Sequence, residues 1–270
     1  MAEPLENEPF VGRRKELEAL GSAVNARVPL LIHGPADAGK TFLVERMLES
    51  LPAEARRCCV YVSGYGTIHT LLQNVARQFF AADTLPARSA RQTAARQARS
   101  AQGLDASTSG RLRLMLRDAV RERRLCLFLD HAPRFSPAMA RLAREWLWRG
   151  ETAIYLLARG RTRDEIGYAG SLYYAPEVRL EVGRLAEREA AALLEQSIQR
   201  FGLVRFDSGE FRSGVLRLSG GLPGTIVKMC AMAAQPRYRH GRQVKLRLLH
   251  VDYLMQGISA QRGAAVGAGR

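Results

Sequence analysis

Several things are scarce in this chain, and each scarcity narrows the reading. Cysteine occurs only at Cys58, Cys59, Cys126 and Cys230. No zinc-type spacing links these residues. Three of them sit in apolar runs that read as buried strands, so they are expected to be reduced core thiols of a cytoplasmic protein. No stretch approaches the roughly 20 consecutive apolar residues that a membrane helix requires, which predicts no membrane span. The first ten residues, Met1 to Phe10, are acidic and contain no apolar h-region, so no secretory signal is expected. Internal repeats are absent as well. Acidic side chains are in deficit, 26 Asp and Glu against 41 Lys and Arg, which leaves a formal net charge of +15.

What is present is 270 residues, 47% of them hydrophobic. That is enough for one large α/β domain or a core with a smaller appended domain. The positive charge is concentrated in two segments. From Arg88 to Arg124 arginine far outnumbers Asp105, Asp118 and Glu122, and Arg237 to Arg247 adds Arg239, Arg242 and Lys245 with no acid. Such patches attract polyanions, with DNA the obvious partner. The other reading is an arginine-rich composition spread over solvated faces.

Hydrophobic periodicity gives the order of elements. Arg14 to Arg27 has helical spacing, with Leu17, Leu20 and Val24 on one face. An apolar run from Val28 to Ile32 predicts a strand, with Pro29 tolerated at its start. Helix follows over Thr41–Leu51, then a strand over Cys58–Val62 and a helix carrying Ile68, Leu71, Val75 and Phe79. Residues 84–110 are Ala, Arg, Ser and Gln with almost no large apolar side chain, and read as a basic, mobile insertion. A helix over Arg111–Arg123 leads into the strand Leu125–Asp130. Ser136-Pro137 opens a further helix whose buried side is Met139, Leu142 and Trp146. Strands over Ala153–Leu157 and Val178–Leu180 complete the series. After Val182 only helical patterns remain, over Glu187–Phe201, Ser208–Ser219, Pro223–Ala234 and around Asp252. The expected architecture is α/β, a parallel sheet sandwiched by helices over 1–182, followed by a small all-helical lid over 183–258. A Gly/Ala-rich disordered tail is expected over 259–270.

The decisive motif lies between the first strand and its helix. Gly34-Pro35-Ala36-Asp37-Ala38-Gly39-Lys40-Thr41, followed by Phe42, fits G-x-x-x-x-G-K-[ST] at every fixed position. Gly34 and Gly39 allow a tight turn whose backbone N–H groups point inward onto phosphate oxygens. The helix that follows presents its positive dipole end to the same anion. Lys40 reaches the β- and γ-phosphates, and the Thr41 hydroxyl is a hard oxygen ligand for Mg²⁺. Binding of a nucleoside triphosphate with Mg²⁺ is therefore expected.

The strand ending at Asp130 supplies the second half. A carboxylate at that edge can hold Mg²⁺ directly or through water. His131 stands next, where hydrolytic enzymes of this architecture usually carry Glu to polarise the attacking water. An imidazole can serve as a base, but is a weak substitute. Binding is thus better supported than fast turnover.

The order of motifs resembles the AAA+/STAND branch of P-loop NTPases, including NB-ARC-type switches and initiator-type ATPases. Phe10-Val11-Gly12-Arg13 resembles the family's "VGR" entry, which implies that Val11 and Arg13 pack at the adenine. Ser219-Gly220-Gly221-Leu222-Pro223-Gly224 resembles the "GGLP" lid motif, which implies that Pro223 touches the base. Leu156-Leu157-Ala158-Arg159 resembles the sensor-one segment, which implies that Arg159 contacts the γ-phosphate. The resemblance covers about residues 10–234 and alone implies ATP over GTP. It also implies a homo-oligomer or protein partner. Arg144, Arg149, Arg161 and Arg163 are candidates for a finger donated to a neighbour. The winged-helix and repeat domains common in the family are expected to be missing or vestigial, with residues 236–258, which carry basic and aromatic groups, as the remnant to consider.

The function expected from these features is a nucleotide-dependent switch or slow ATPase assembling on DNA or a protein partner. The alternative is a binding module whose nucleotide is structural. A small-molecule phosphotransferase would need an acceptor lid between core strands, which the C-terminal position of the GGLP-like segment argues against.

Overall fold

The computed structural model describes residues 10–81, 107–123, 125–131, 134–148, 152–206 and 208–267. Most of the expected basic insertion at 84–110, including Arg88, Arg91, Arg96 and Arg99, lies outside the described residues, as do Arg124 and Arg149. By its contacts the chain forms two compact units. One comprises Lys15–Gly34 and Lys40–Glu181; the other comprises Met1–Arg14, Pro35–Gly39 and Val182–Arg270.

The first unit is built on a sheet of β1 (Leu30–His33), β2 (Cys59–Ser63), β3 (Cys126–Asp130), β4 (Ala153–Ala158) and β5 (Arg179–Glu181). The order is β2-β3-β4-β1-β5 and every pairing is parallel. Helix α1 (Arg14–Ala26) precedes the first strand, and α2 (Lys40–Ser50), α3 (Ala53–Arg56), α4 (Ile68–Ala81), α5 (Ser109–Arg123), α6 (Pro137–Trp148) and α7 (Arg163–Ile166) lie between successive strands. Central strands of such a sheet are covered on both faces. Accordingly β1 and β3 are buried at every position, whereas the edge strand β2 alternates. That edge position also explains why Cys58 and Cys59 are only partly buried, contrary to the sequence expectation, while Cys126 is in the core.

The first strand begins two residues later than the sequence suggests. Arg27 N donates to Val24 O at 3.2 Å and Val28 N to Ala23 O at 2.9 Å, so both residues finish the turn of α1. Pro29 brings no N–H to a ladder, and pairing starts at Leu30. One glycine of this unit is fixed by sterics. Gly167 has φ +60, and a Cβ there would stand 2.5 Å from the carbonyl oxygen of Phe135.

The second unit is predominantly helical. It contains α8 (Glu187–Arg200), α9 (Gly209–Ser219), α10 (Pro223–Ala233) and α11 (Leu246–Gly267), with a short antiparallel pair β6 (Arg239–His240) and β7 (Gln243–Val244). Its core includes Leu194, Ile198, Val215, Ile226, Met229 and Tyr238. The Gly-Gly-Leu-Pro stretch has a local folding role. Gly220, left-handed at φ 53, ends α9, and Pro223 occupies the first turn of α10, where its missing N–H is harmless. Helix α11 continues to Gly267 through most of the segment expected to be a disordered tail. The β6–β7 pair has only two residues per strand, too short for period-two alternation to register in the sequence.

Candidate functional site

In the sheet unit, β1 delivers the chain to Gly34 and α2 restarts it at Lys40. The Lys40 ammonium donates to the Gly34 carbonyl at 2.8 Å, which holds the side chain folded back along its own loop. One residue on, the Thr41 hydroxyl donates to Asp130 Oδ2 at 2.6 Å. That contact unites the end of the β3 run with the start of α2, although β4 separates β1 from β3 in the sheet.

Asp130 is nearly fully buried, with 4% of its surface exposed. Its Oδ2 also accepts from the Tyr61 hydroxyl at 2.6 Å, and its Oδ1 accepts from the His131 backbone N–H at 2.7 Å. Burial, then the Asp130 hydrogen bond and charge, push the Tyr61 phenol well above its ordinary pKa, so it stays a donor. His131 adopts φ 50 and places Nδ1 3.3 Å from Asp130 Oδ2 and 3.5 Å from Ser63 Oγ, with most of the ring exposed. At the end of β1, burial lowers the pKa of His33, with Glu181 opposing and Arg161 reinforcing, so the imidazole is neutral near pH 7. Arg159 lies just past β4 and is exposed. Phe42 is half-buried in the first turn of α2.

The turn Pro35–Gly39 belongs to the helical unit. Pro35 and Ala36 are exposed and Ala38 is buried. Asp37 takes φ 62 and Gly39 φ 88. A Cβ on Gly39 would meet the Pro223 ring at 3.4 Å. Arg13, also at positive φ, donates Nη2 to the Gly183 carbonyl and, at 3.4 Å, to that of Ala38. Val11 packs against the core of this unit. The VGR segment, the glycine-loop turn and Pro223 therefore meet within one unit.

Asp37 is the centre of this cluster, a role the sequence did not disclose. Its Oδ1 receives Lys228 Nζ at 2.7 Å, and its Oδ2 receives the Tyr253 hydroxyl at 3.0 Å and Thr225 Oγ1 at 3.4 Å. The Gly224 N–H donates to the Asp37 carbonyl at 2.9 Å. Burial alone would raise the Asp37 pKa. The Lys228 hydrogen bond and charge, with the two hydroxyls, outweigh it and hold the acid below the usual carboxylate range.

A family model for the AAA ATPase domain matches residues 9–158, more than half of the chain. The chain belongs to the AAA ATPase domain family. As an AAA+ P-loop protein it is a nucleotide-binding ATPase by family, and its sheet and flanking helices agree with solved relatives. A Walker-type ATPase of Pyrococcus abyssi is similar at 13% identity and TM-score 0.64, over 99% of this chain and 79% of that one. Cdc6p from Pyrobaculum aerophilum is similar at 14% identity and TM-score 0.53, over 86% of this chain and 62% of that one. At these identities the likeness shows the fold. No curated protein matches.

This AAA+ chain offers what Mg²⁺ takes from protein. Among the described residues no group of three or more His, Cys, Asp or Glu could hold a metal by itself. Mg²⁺ does not require one, because it is usually bound through one or two protein oxygens, phosphates and waters. The Thr41 hydroxyl and Asp130 carboxylate, two hard oxygens in contact at 2.6 Å, fit that demand. No described helix is long and apolar enough to cross a membrane.

Proposed function

We propose that this AAA+ protein binds ATP with Mg²⁺ as a nucleotide-dependent switch, hydrolysing it slowly unless assembled on DNA or a protein partner. The observation that carries the reading is the direct Thr41–Asp130 contact. It puts the two Mg²⁺-type oxygens together at the start of the helix whose first residue, Lys40, carries the phosphate-binding ammonium. In this reading residues 34–42 bind the phosphates, Thr41 and Asp130 hold Mg²⁺, and Arg159 approaches the γ-phosphate. Val11, Arg13 and Pro223 lie at the base. Residues 1–182 act as the nucleotide core and 183–258 as the lid, in the manner of STAND-type switches. His131 supports slow turnover, since an exposed imidazole replaces the carboxylate that would polarise water.

The basic segments at 88–124 and 237–247 supply the motive for a nucleic-acid partner. At the second, the Arg237 guanidinium lies over the Tyr238 ring at 4.4 Å. A scaffold whose ATP is structural is the alternative, and His131 is the residue that favours it.

Steady-state ATP hydrolysis, with and without double-stranded DNA, separates the two when wild type is compared with Lys40→Ala. Turnover raised by DNA and removed by the substitution supports the switch. Nucleotide bound at normal affinity by Lys40→Ala would overturn the site. Bound ATP with no turnover, alone or with partners, would leave the scaffold.

A further inference from the structure

Asp130 is held by more than its metal-site neighbour. Strand β2 pairs with β3 so that Tyr61 stands opposite Phe128 and Ser63 opposite Asp130. Side chains alternate along a strand, so Tyr61 and Ser63 share one face while Val60 and Val62 are buried on the other. Tyr61 thus starts two rungs, roughly 6.6 Å, from the level of Asp130. A phenol directed along the strand spans that gap, and the Tyr61 hydroxyl meets Asp130 Oδ2 at 2.6 Å.

The tyrosine is itself anchored. As the sheet's edge strand, β2 has backbone groups not used by β3. At Tyr61 they are taken by one side chain of α4: Gln78 accepts from Tyr61 N–H at 3.1 Å through Oε1 and donates to the Tyr61 carbonyl through Nε2. Backbone and hydroxyl of Tyr61 are both fixed, one by Gln78 and the other by Asp130.

We infer that Tyr61 is a positioning residue for the Mg²⁺–nucleotide site, acting by holding Asp130 in the orientation that meets Thr41. The inference rests on the reading of Thr41 and Asp130 as the Mg²⁺ pair. Oδ2 takes hydroxyl hydrogens from Thr41 and Tyr61 while Oδ1 takes the His131 amide. Rotation of the carboxylate would break all three. A carboxylate already oriented loses less freedom when an ion and its waters arrive, so the hydroxyl contributes to affinity without touching the metal. Tyr61 is chemically suited to this: its ring bridges the two rungs and its O–H donates to the carboxylate.

The test is nucleotide binding titrated against Mg²⁺, for wild type, Tyr61→Phe and Asp130→Asn. Tyr61→Phe removes one hydroxyl and keeps the ring. The expected result is a Mg²⁺ half-saturation raised about tenfold, the scale on which outer-shell partners tune metal affinity. Nucleotide affinity without Mg²⁺ should be unchanged, a separation that general damage to the fold would not give. If wild type requires Mg²⁺ and Asp130→Asn impairs it, but Tyr61→Phe is unchanged or needs less Mg²⁺, the tyrosine's role is overturned while the metal reading stands. If wild type shows no Mg²⁺ dependence, the metal reading falls and this inference with it. Should Tyr61→Phe not fold, Gln78→Met supplies the same measurement by releasing the Tyr61 backbone. A raised half-saturation supports the inference and an unchanged one overturns it.

Discussion

Lys228 reaches Asp37 with its ammonium 2.7 Å from Oδ1, an ion pair spanning 191 positions of sequence inside the helical unit. An acid in the turn of an anion-binding loop works against the loop's chemistry, and Lys228 offsets that charge locally. The lysine side chain is 58% exposed and the aspartate 22%, so solvent screens the pair and its contribution to stability is about 1 kcal/mol or less. Thermal unfolding of Asp37→Asn, Lys228→Met and the double variant measures it. Asn is chosen because it tolerates the left-handed backbone at this position. A favourable coupling energy is expected; strictly additive losses would show that the pair contributes nothing.

The same acid gives a pH signature. Its folded pKa lies below the ordinary carboxylate value of 3.8. Stability linked to Asp37 is therefore fully present above that value and is lost as pH falls through the folded pKa. Unfolding free energies of wild type and Asp37→Asn should differ at neutral pH and converge at acid pH. A difference that persists unchanged to the lowest pH would mean that ionisation of Asp37 is not its source.

Two glycines should respond oppositely to alanine. A Cβ at Gly224 would stand 2.9 Å from Asp37 Cβ and 3.1 Å from its Cα and O, so the turn or α10 must shift. Overpacking of this kind typically costs about 1–3 kcal/mol. Gly21, inside α1, has nothing within 4 Å of the position. There alanine should stabilise by roughly 0.5–1 kcal/mol through helix propensity. Melting temperatures that move in the same direction for both variants would contradict the local packing described here.

If the basic segment beyond α4 meets DNA, affinity should fall steeply with salt as bound Lys and Arg side chains release counterions. Replacing Arg88, Arg91, Arg96 and Arg99 by Ala should make the plot of log affinity against log salt shallower, by up to about 0.9 for each phosphate that is no longer neutralised. An unchanged slope would remove these arginines from the interface.

The glycine loop was legible because its fixed positions answer directly to phosphate chemistry, and the strand–helix alternation because parallel strands are continuous apolar runs. Tyr61 was not. In sequence it is an ordinary edge-strand aromatic, and its tie to Asp130 depends on a register known only once β2 lies beside β3. Asp37 was hidden differently, since it fills a position where the motif accepts any residue and its partners arrive from α10 and α11. The boundary of β1 was misplaced because Val28 is apolar, whereas hydrogen bonding assigns its N–H to α1.

His131 has φ 50, a left-handed conformation in which histidine is several-fold enriched relative to most side chains. Glutamate would carry the same Cβ into a left-handed backbone, which costs L side chains roughly 1–2 kcal/mol, without the enrichment that histidine shows there. A single His131→Glu exchange would therefore strain the loop while supplying the acid. Any exchange of His131 for a carboxylate thus has to contend with the backbone at 131 before the new side chain can act.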